Sequence, residues 1–461
     1  MSDFCYQDIK ALVVTLPEEI EKKKWFGDFA GAIHLIDLWL ERELPPMLRA
    51  KLKLEREILQ VLPTEYTMDY EEALAALRCK VPDLTEEEFA DLKEHGKIDW
   101  IYVNGKERYL DDFVDTLLKV NPGIIDRAAK LDSTIGAPDD EKKALLEVID
   151  RIRKQKDVTY RFRIKATVQI SEEAFHPGHV TVHIPIPCMC KQVREMKLLS
   201  ASSKEYFLSD KNAPQRTICF EEDMTENHPF YVEYEYTNHV NYVEVEPSEV
   251  KPVDPGRFTY ELAEKLPHIH FTPYMCSLAA MLTKGIRNPY LKAKSIYDYI
   301  TTHVEYSFVR NYLSIENLTE YAALGLKGDC GIQALMFITL CRICGIPARW
   351  QSGLYATPYD AGMHDWAQFY VEPYGWLFAD CSFGGSAFRD QDEARRQFYF
   401  GNIDPFRMPA NSDFQEEFIP PKKYLRADPY DNQCGEVEFE DKGLHFDEFT
   451  TDYEVLEAQI V

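Results

Sequence analysis

No window of the sequence approaches the roughly 18 uninterrupted apolar residues that a membrane-crossing helix requires. The first residues, MSDFCYQDIKALVV, lack the basic segment, apolar stretch and small-residue cleavage site of a secretory leader. Basic side chains are scarce beside acidic ones: 52 Lys and Arg stand against 78 Asp and Glu, a net charge of −26. A field of that sign repels phosphate backbones and anionic lipid heads, so neither nucleic acid nor a membrane surface is expected as a partner. Cysteine is sparse and odd in number, 11 in 461 residues, which does not suit a secreted disulfide framework. The expectation is a cytoplasmic protein with free thiols. No calcium-loop pattern and no solenoid repeat is present. What the chain does have is a globular composition, 45% hydrophobic and 13% aromatic, at a length that one core seldom organises.

Its texture divides the chain. Residues 1–156 read as a mainly helical domain. Pro45 and Pro46 split an amphipathic run from Leu35 to Leu62 into two helices, and Thr85 with Glu88 forms a capping-box pattern. Asn104-Gly105, between β-forming residues, predicts a tight hairpin, and Glu141 to Lys156 returns to an amphipathic helix. From 157 to 250, Tyr160, Phe162, Ile164, Ala166, Val168 and Ile170 alternate with polar residues. Later runs such as Phe230-Tyr-Val-Glu-Tyr-Glu-Tyr do the same, which predicts a small antiparallel β-sandwich. A Pro-rich linker leads to a third region, 254–420, and residues 421–461 form an acidic C-terminal tail whose packing the pattern leaves open.

The third region carries the chemistry. The segment Gly328-Asp-Cys-Gly is followed by an apolar stretch from Ile332 to Cys344, which predicts a buried helix stopped by Gly345 and Pro347. Cys330 then stands at a helix N-terminus, where unsatisfied N–H groups and the helix dipole favour a thiolate nucleophile. Gly328 and Gly331 leave room beside the sulfur for a substrate backbone. Downstream, His364 opens one β-rich run and Asp380 lies near the end of the next, across a Pro-Tyr-Gly turn. A thiol needs a base, and the base needs a carboxylate to hold its tautomer. A two-residue turn would set Asp380 opposite Ala367, on the wrong sheet face from His364. One further turn residue would set it opposite Gln368, on the right face but roughly 13 Å along an ideal strand. Contact therefore requires twist, a bulge or an unequal loop.

Gly328-Asp-Cys-Gly, then Cys-Arg-Ile-Cys-Gly-Ile-Pro-Ala-Arg, His-Asp-Trp and Gly-Trp-Leu-Phe-Ala-Asp, in that order, resemble the transglutaminase-like superfamily of cysteine hydrolases, in particular its bacterial multidomain members. The resemblance covers roughly Pro267 to Phe383. It implies an α+β fold with a papain-like transglutaminase core, with Cys330 as nucleophile, His364 as base and then acid, and Asp380 as its orienter. It also implies an oxyanion donor upstream of the nucleophile, for which Tyr306 and Tyr312 are candidates and Tyr306 is preferred. Trp366, with Gly331, is assigned to the substrate-binding wall, and Trp376 to packing.

Other clusters carry less. Cys341 and Cys344 fall inside the apolar helix. His176, His179, His183, His268 and His270 lack a matching carboxylate pattern, so no metal and no cofactor is expected. The reading is a cysteine-dependent hydrolase of peptide or amide bonds acting on a peptide or protein substrate. The alternatives are a protein-glutamine acyltransferase using the same residues, and a non-enzymatic interaction protein that keeps the fold.

Overall fold

A computed structural model describes residues 6–136 and 139–461. In the helical region, Pro45 caps and Pro46 opens the helix Pro46–Glu65, since a proline at the first helical position forgoes an N–H that has no partner there anyway. Thr85 and Glu88 close the capping box of the helix Glu86–Glu94. Asn104 and Gly105 both take positive φ, 52° and 72°, in a hairpin that pairs Val103 with Lys106. This region is not one packing unit. Helices and hairpin between Tyr70 and Ala128 bury a separate small core around Leu77, Phe89, Tyr109 and Phe113. The residues before it, from Ile9 to Tyr66, and the helix Asp140–Gln155 join the main core of the protein.

The sandwich is built of two four-stranded sheets. In one, Asp157–Ile170 lies between Phe449–Ile460 and Phe230–Asn241, with Val193–Ala201 beyond. In the other, Gly178–Pro185 lies between Glu436–Phe439 and Thr217–Met224, with Phe207–Leu208 at the far edge. Each sheet thus takes one strand from the segment expected as an acidic tail. Its alternation is real: Phe449 and Tyr453 are buried while Asp452 and Glu454 face outward. The tail is therefore a structural part of the sandwich, and the 157–250 segment supplies only six of its eight strands.

The third region is a five-stranded antiparallel sheet in the order Phe400–Gly401, Gly375–Ala379, Ala361–Val371, Ala348–Ala356, Arg407–Asn411. The helix Cys330–Ile343 packs across it, with Phe337 edge-on to Phe369. Residues Gly331 to Arg342 of this helix are all buried, which is why its sequence is apolar nearly all round. Gly345 follows it at φ 74°, a conformation that ends a helix cheaply only at glycine.

Phe439 is 3% exposed on the strand Glu436–Phe439 and packs against the His176 ring. Phe439→Ala is expected to cost about 3–5 kcal/mol in denaturant unfolding, the usual range for truncating a buried Phe. A change near zero would mean that this segment does not contribute to the folded core.

Candidate active site

Asp329 caps the helix Cys330–Ile343, accepting from the Ile332 N–H at 3.0 Å, so Cys330 is the first helical residue. Its side chain is partly exposed at the wall of a cavity of about 380 Å³. Tyr306 and Tyr312 line the same cavity, as do Asp329, Met363, Asp365, Asp431 and Gln433.

The thiol is engaged. Cys330 Sγ–H donates to Asp365 Oδ2 at 3.2 Å. Gln433 Nε2 donates to the other oxygen of that carboxyl, Oδ1, at 2.8 Å. Burial, and then the Asp365 and Asp329 carboxyls, push the Cys330 thiol well above its ordinary range. Burial and the adjacent Asp431 carboxyl push Asp365 up strongly, and burial takes Asp329 up to about 6. Asp431 in turn accepts from Ser352 Oγ and from Asn411 Nδ2, the latter at 2.8 Å.

His364 makes a different set of contacts. Its Nε2–H donates to Asp380 Oδ2 at 2.8 Å, and its ring packs against Trp366, Phe383 and Tyr355. Asp380 also accepts from Arg407 Nη2 at 2.9 Å, and Arg407 reaches Asp404 at 3.1 Å. All of these charged groups are buried. Burial alone would raise Asp380, but the His364 imidazole and the Arg407 guanidinium hold it down to about 2. Burial lowers His364 despite the attraction of Asp380, so the imidazole is neutral at pH 7.

The structure therefore brings His364 and Asp380 together and sets Cys330 against Asp365. The cause is strand geometry. Successive side chains on Ala361–Val371 leave on opposite faces, and the pairing with Ala348–Ala356 runs unbroken from Ala361 to Phe369. No bulge turns His364 towards the face that Asp365 shares with Gly331 and Trp350. The sequence leaves twist, a bulge or an unequal loop as routes to contact between His364 and Asp380; the structure uses a three-residue turn, Glu372-Pro373-Tyr374, with Val371 paired to Gly375, which brings Asp380 level with Trp366 instead of Gln368. Ala379 pairs with Ala367, so Asp380 follows diagonally across from His364.

The remaining assignments fall as follows. Tyr306 pairs with Gly328 and carries Lys119 Nζ 4.3 Å from its ring centroid. The Tyr312 hydroxyl donates to Asp329 Oδ1, directly at the helix start. Gly331 leaves no space for a substrate. A methyl group there would meet the Tyr312 hydroxyl, Asp365 Oδ2 and the Trp350 ring, so the missing side chain is filled by the protein itself. Trp366 is fully buried on the His364 side, its Nε1–H donating to Gln351, and does not reach the cavity. Sequence reasoning passed over Asp365, Asp431 and Gln433. Asp365 was the variable middle residue of His-Asp-Trp, and a strict two-residue reading would have assigned it to the face opposite His364. Nothing local marks the other two. Among the described residues no His, Cys, Asp and Glu group is arranged to hold a metal.

Residues 277–381 match the family model described as Transglutaminase-like superfamily. No curated protein matches the chain. Among solved structures, a protein from Cytophaga hutchinsonii proposed to be a cysteine protease is 15% identical over 65% of this chain and 91% of its own, with a TM-score of 0.42. The periplasmic domain of TgpA from Pseudomonas aeruginosa is 13% identical over 54% of this chain and 95% of its own, with a TM-score of 0.29.

Two outcomes test the buried charges. Arg407→Ala leaves Asp380 and Asp404 uncompensated and is expected to cost about 3–5 kcal/mol in stability. Acid titration of the melting temperature should show two losses. His364 is lowered in the folded state, so stability falls once the pH drops below the ordinary imidazole value of 6.5 and unfolded histidine takes up protons. Asp380 is also lowered, so a further loss follows between its ordinary value of 3.8 and about 2. A melting temperature flat from pH 7 to 3 would contradict both assignments.

With the buried cysteine helix, the His-x-Trp strand and the Gly-Trp…Asp strand assembled on one sheet, and the family match spanning them, residues 277–381 form a transglutaminase-like core of α+β architecture.

Proposed function

We propose that this chain is a cysteine-dependent hydrolase of peptide or amide bonds that works through an acyl-enzyme on Cys330. The observation that carries this is the placement of Cys330 as the first residue of an Asp-capped, buried helix, with its sulfur facing a cavity. N–H groups at such a helix start have no partner within the helix, and apart from that of Ile332, which the Asp329 carboxyl accepts, they are the donors this reading assigns to a group in the cavity. An acyl oxygen there gains their hydrogen bonds as it becomes an oxyanion, and Tyr306, on the cavity wall, is the side-chain donor assigned to the same role. The resemblance gives the base to His364, oriented by Asp380. In this structure that pair lies on the sheet face opposite the thiol.

If water resolves the acyl-enzyme the product is a cleaved or deamidated peptide; if a primary amine resolves it, an adduct. The non-enzymatic alternative has one observation in its favour: Cys330 is held as a protonated thiol, away from any imidazole.

A tryptic digest supplemented with a primary amine, read by mass spectrometry, separates these readings. Wild-type protein is expected to give cleaved or deamidated peptides, and Cys330→Ala to lose them by about 10³-fold or more. Amine adducts alone would make the protein an acyltransferase. Equal products from both proteins, or none from either, would leave the interaction-protein reading.

A further inference from the structure

We infer that the cavity at Cys330 is the end of a longer groove, which holds an extended polypeptide with a lysine or arginine side chain close to the scissile bond. The inference rests on Cys330 as the nucleophile, and it names the class of polypeptide that the site selects.

The cavity beside Cys330 does not close on itself. Glu65, Asp112, Val309, Asn311 and Phe446 line both it and a second cavity of about 480 Å³. Val61, Thr64, Ala427, His445 and Asp447 line that second cavity and a third of about 760 Å³. Asn311 borders all three and ties the two sides together. Its N–H donates to Glu65 at 3.0 Å and its Nδ2 to the Ala427 carbonyl at 3.2 Å.

One side of the groove is the helix Pro46–Glu65. Its lining residues Arg56, Glu57, Gln60, Val61 and Thr64 recur at alternating intervals of one and three, which is a single helix face. The other side is the C-terminal segment at 424–427 and 445–447. From Lys53 to Glu65 the helix stripe runs about 18 Å at 1.5 Å per residue, a span that about five residues of extended chain cover. Joined, the three spaces exceed the roughly 300–1,000 Å³ of a small-molecule pocket, and their length suits a chain.

Charge decides which chain. The described residues lining the middle cavity include four carboxyls, Glu65, Asp111, Asp112 and Asp447, and one basic side chain, His445. Such a cluster elsewhere would be a solvated surface; here it lines the continuation of the nucleophile's own cavity. Asp111 is held by neutral donors, the Thr67 N–H at 3.1 Å and the Thr67 hydroxyl at 2.7 Å, so its charge is placed without being cancelled. Burial, and then the carboxyls of Asp115 and Asp111, raise Asp112. Burial takes Glu65 up to about 7, with Asp112 and Asp111 adding to the rise. These carboxyls repel one another, and a cationic side chain entering between them relieves that repulsion. An anionic one adds to it. The third cavity is mixed, with Lys53, Arg56 and Lys442 beside Glu57, Asp441 and Glu448, so the selection is confined to the stretch nearest Cys330.

The test separates binding from turnover. Cys330→Ala protein is titrated by fluorescence anisotropy at about 150 mM salt, which screens attraction to the net charge at distances beyond about 8 Å. The probes are fluorescein-labelled octapeptides of glycine and serine that carry two lysines, two glutamines or two glutamates. The lysine peptide is expected to bind at least about fivefold tighter than the glutamine one, the effect of two partly exposed ion pairs, and the glutamate peptide weakest. Asp112→Asn with Asp447→Asn should abolish that preference; the Asp112 side chain makes no cap hydrogen bond, so the change removes charge and leaves the helix start intact. Glu86→Gln with Glu87→Gln removes the same charge from an exposed helix face elsewhere, and should leave the preference within about twofold. Gln60→Trp, at an exposed position of the helix stripe, should weaken the lysine peptide without lowering its advantage over the glutamine one. With wild-type protein and a digest made by a glutamate-specific protease, the cut bonds should be flanked by lysine or arginine. Equal affinity for the three peptides, or a lysine preference that survives Asp112→Asn with Asp447→Asn, would overturn the inference. Selective binding of the lysine peptide with no cleavage of any peptide would instead overturn the hydrolase reading and leave the groove standing.

Discussion

Along Ala361–Val371 each side chain leaves the sheet on the face opposite its neighbours, and the unbroken register with Ala348–Ala356 gives no residue freedom to change sides. The site's chemistry depends on this constraint. It places Asp365 with Gly331, Trp350 and the cysteine helix, and His364 with Trp366, Tyr355 and Phe383. One strand thus serves two polar systems, a thiol–carboxyl pair on one face and an imidazole–carboxylate–guanidinium group on the other.

The two systems show how surroundings decide the state of a buried carboxyl. Asp380 is wholly enclosed, yet it stays ionised because Arg407 and His364 both face it within hydrogen-bond distance. Asp365 is also buried, but its partners are a thiol, a carboxamide and a second carboxyl, and no cation among the described residues pairs with it. Desolvation therefore wins at Asp365 and loses at Asp380. The same contrast explains the cysteine. A helix N-terminus favours a thiolate, but its favour is worth about 0.3–2 kcal/mol, too little to outweigh burial against Asp365 and Asp329.

What could be read in the sequence was local. The cap at Thr85, the hairpin turn at Asn104-Gly105, the proline break at Pro45-Pro46, and the apolar run closed by Gly345 each concern residues close together in sequence, and the structure forms them all. The order of motifs around Cys330, His364 and Asp380 placed the core, because the strands that carry them pair with sequence neighbours. The loop before Gly375 was not legible: contact between His364 and Asp380 required twist, a bulge or an unequal loop, and nothing local chose among them. The partners of Cys330 were out of reach. Asp431 and Gln433 lie about a hundred residues downstream in a segment whose composition resembles a solvated tail, and only tertiary packing brings them to the cavity. Gly331 shows the same limit from another side: the sequence gives a missing side chain, and the fold decides what fills the gap.

The strands Glu436–Phe439 and Phe449–Ile460, with Gln433 just before them, have a consequence for biogenesis. A ribosome makes them after every element they pair with, so during elongation both sandwich sheets present an unsatisfied edge and the cysteine cavity lacks one wall. Until this stretch has emerged and annealed those edges lie open, and Asp365 lacks the Gln433 amide that holds its carboxyl beside Cys330.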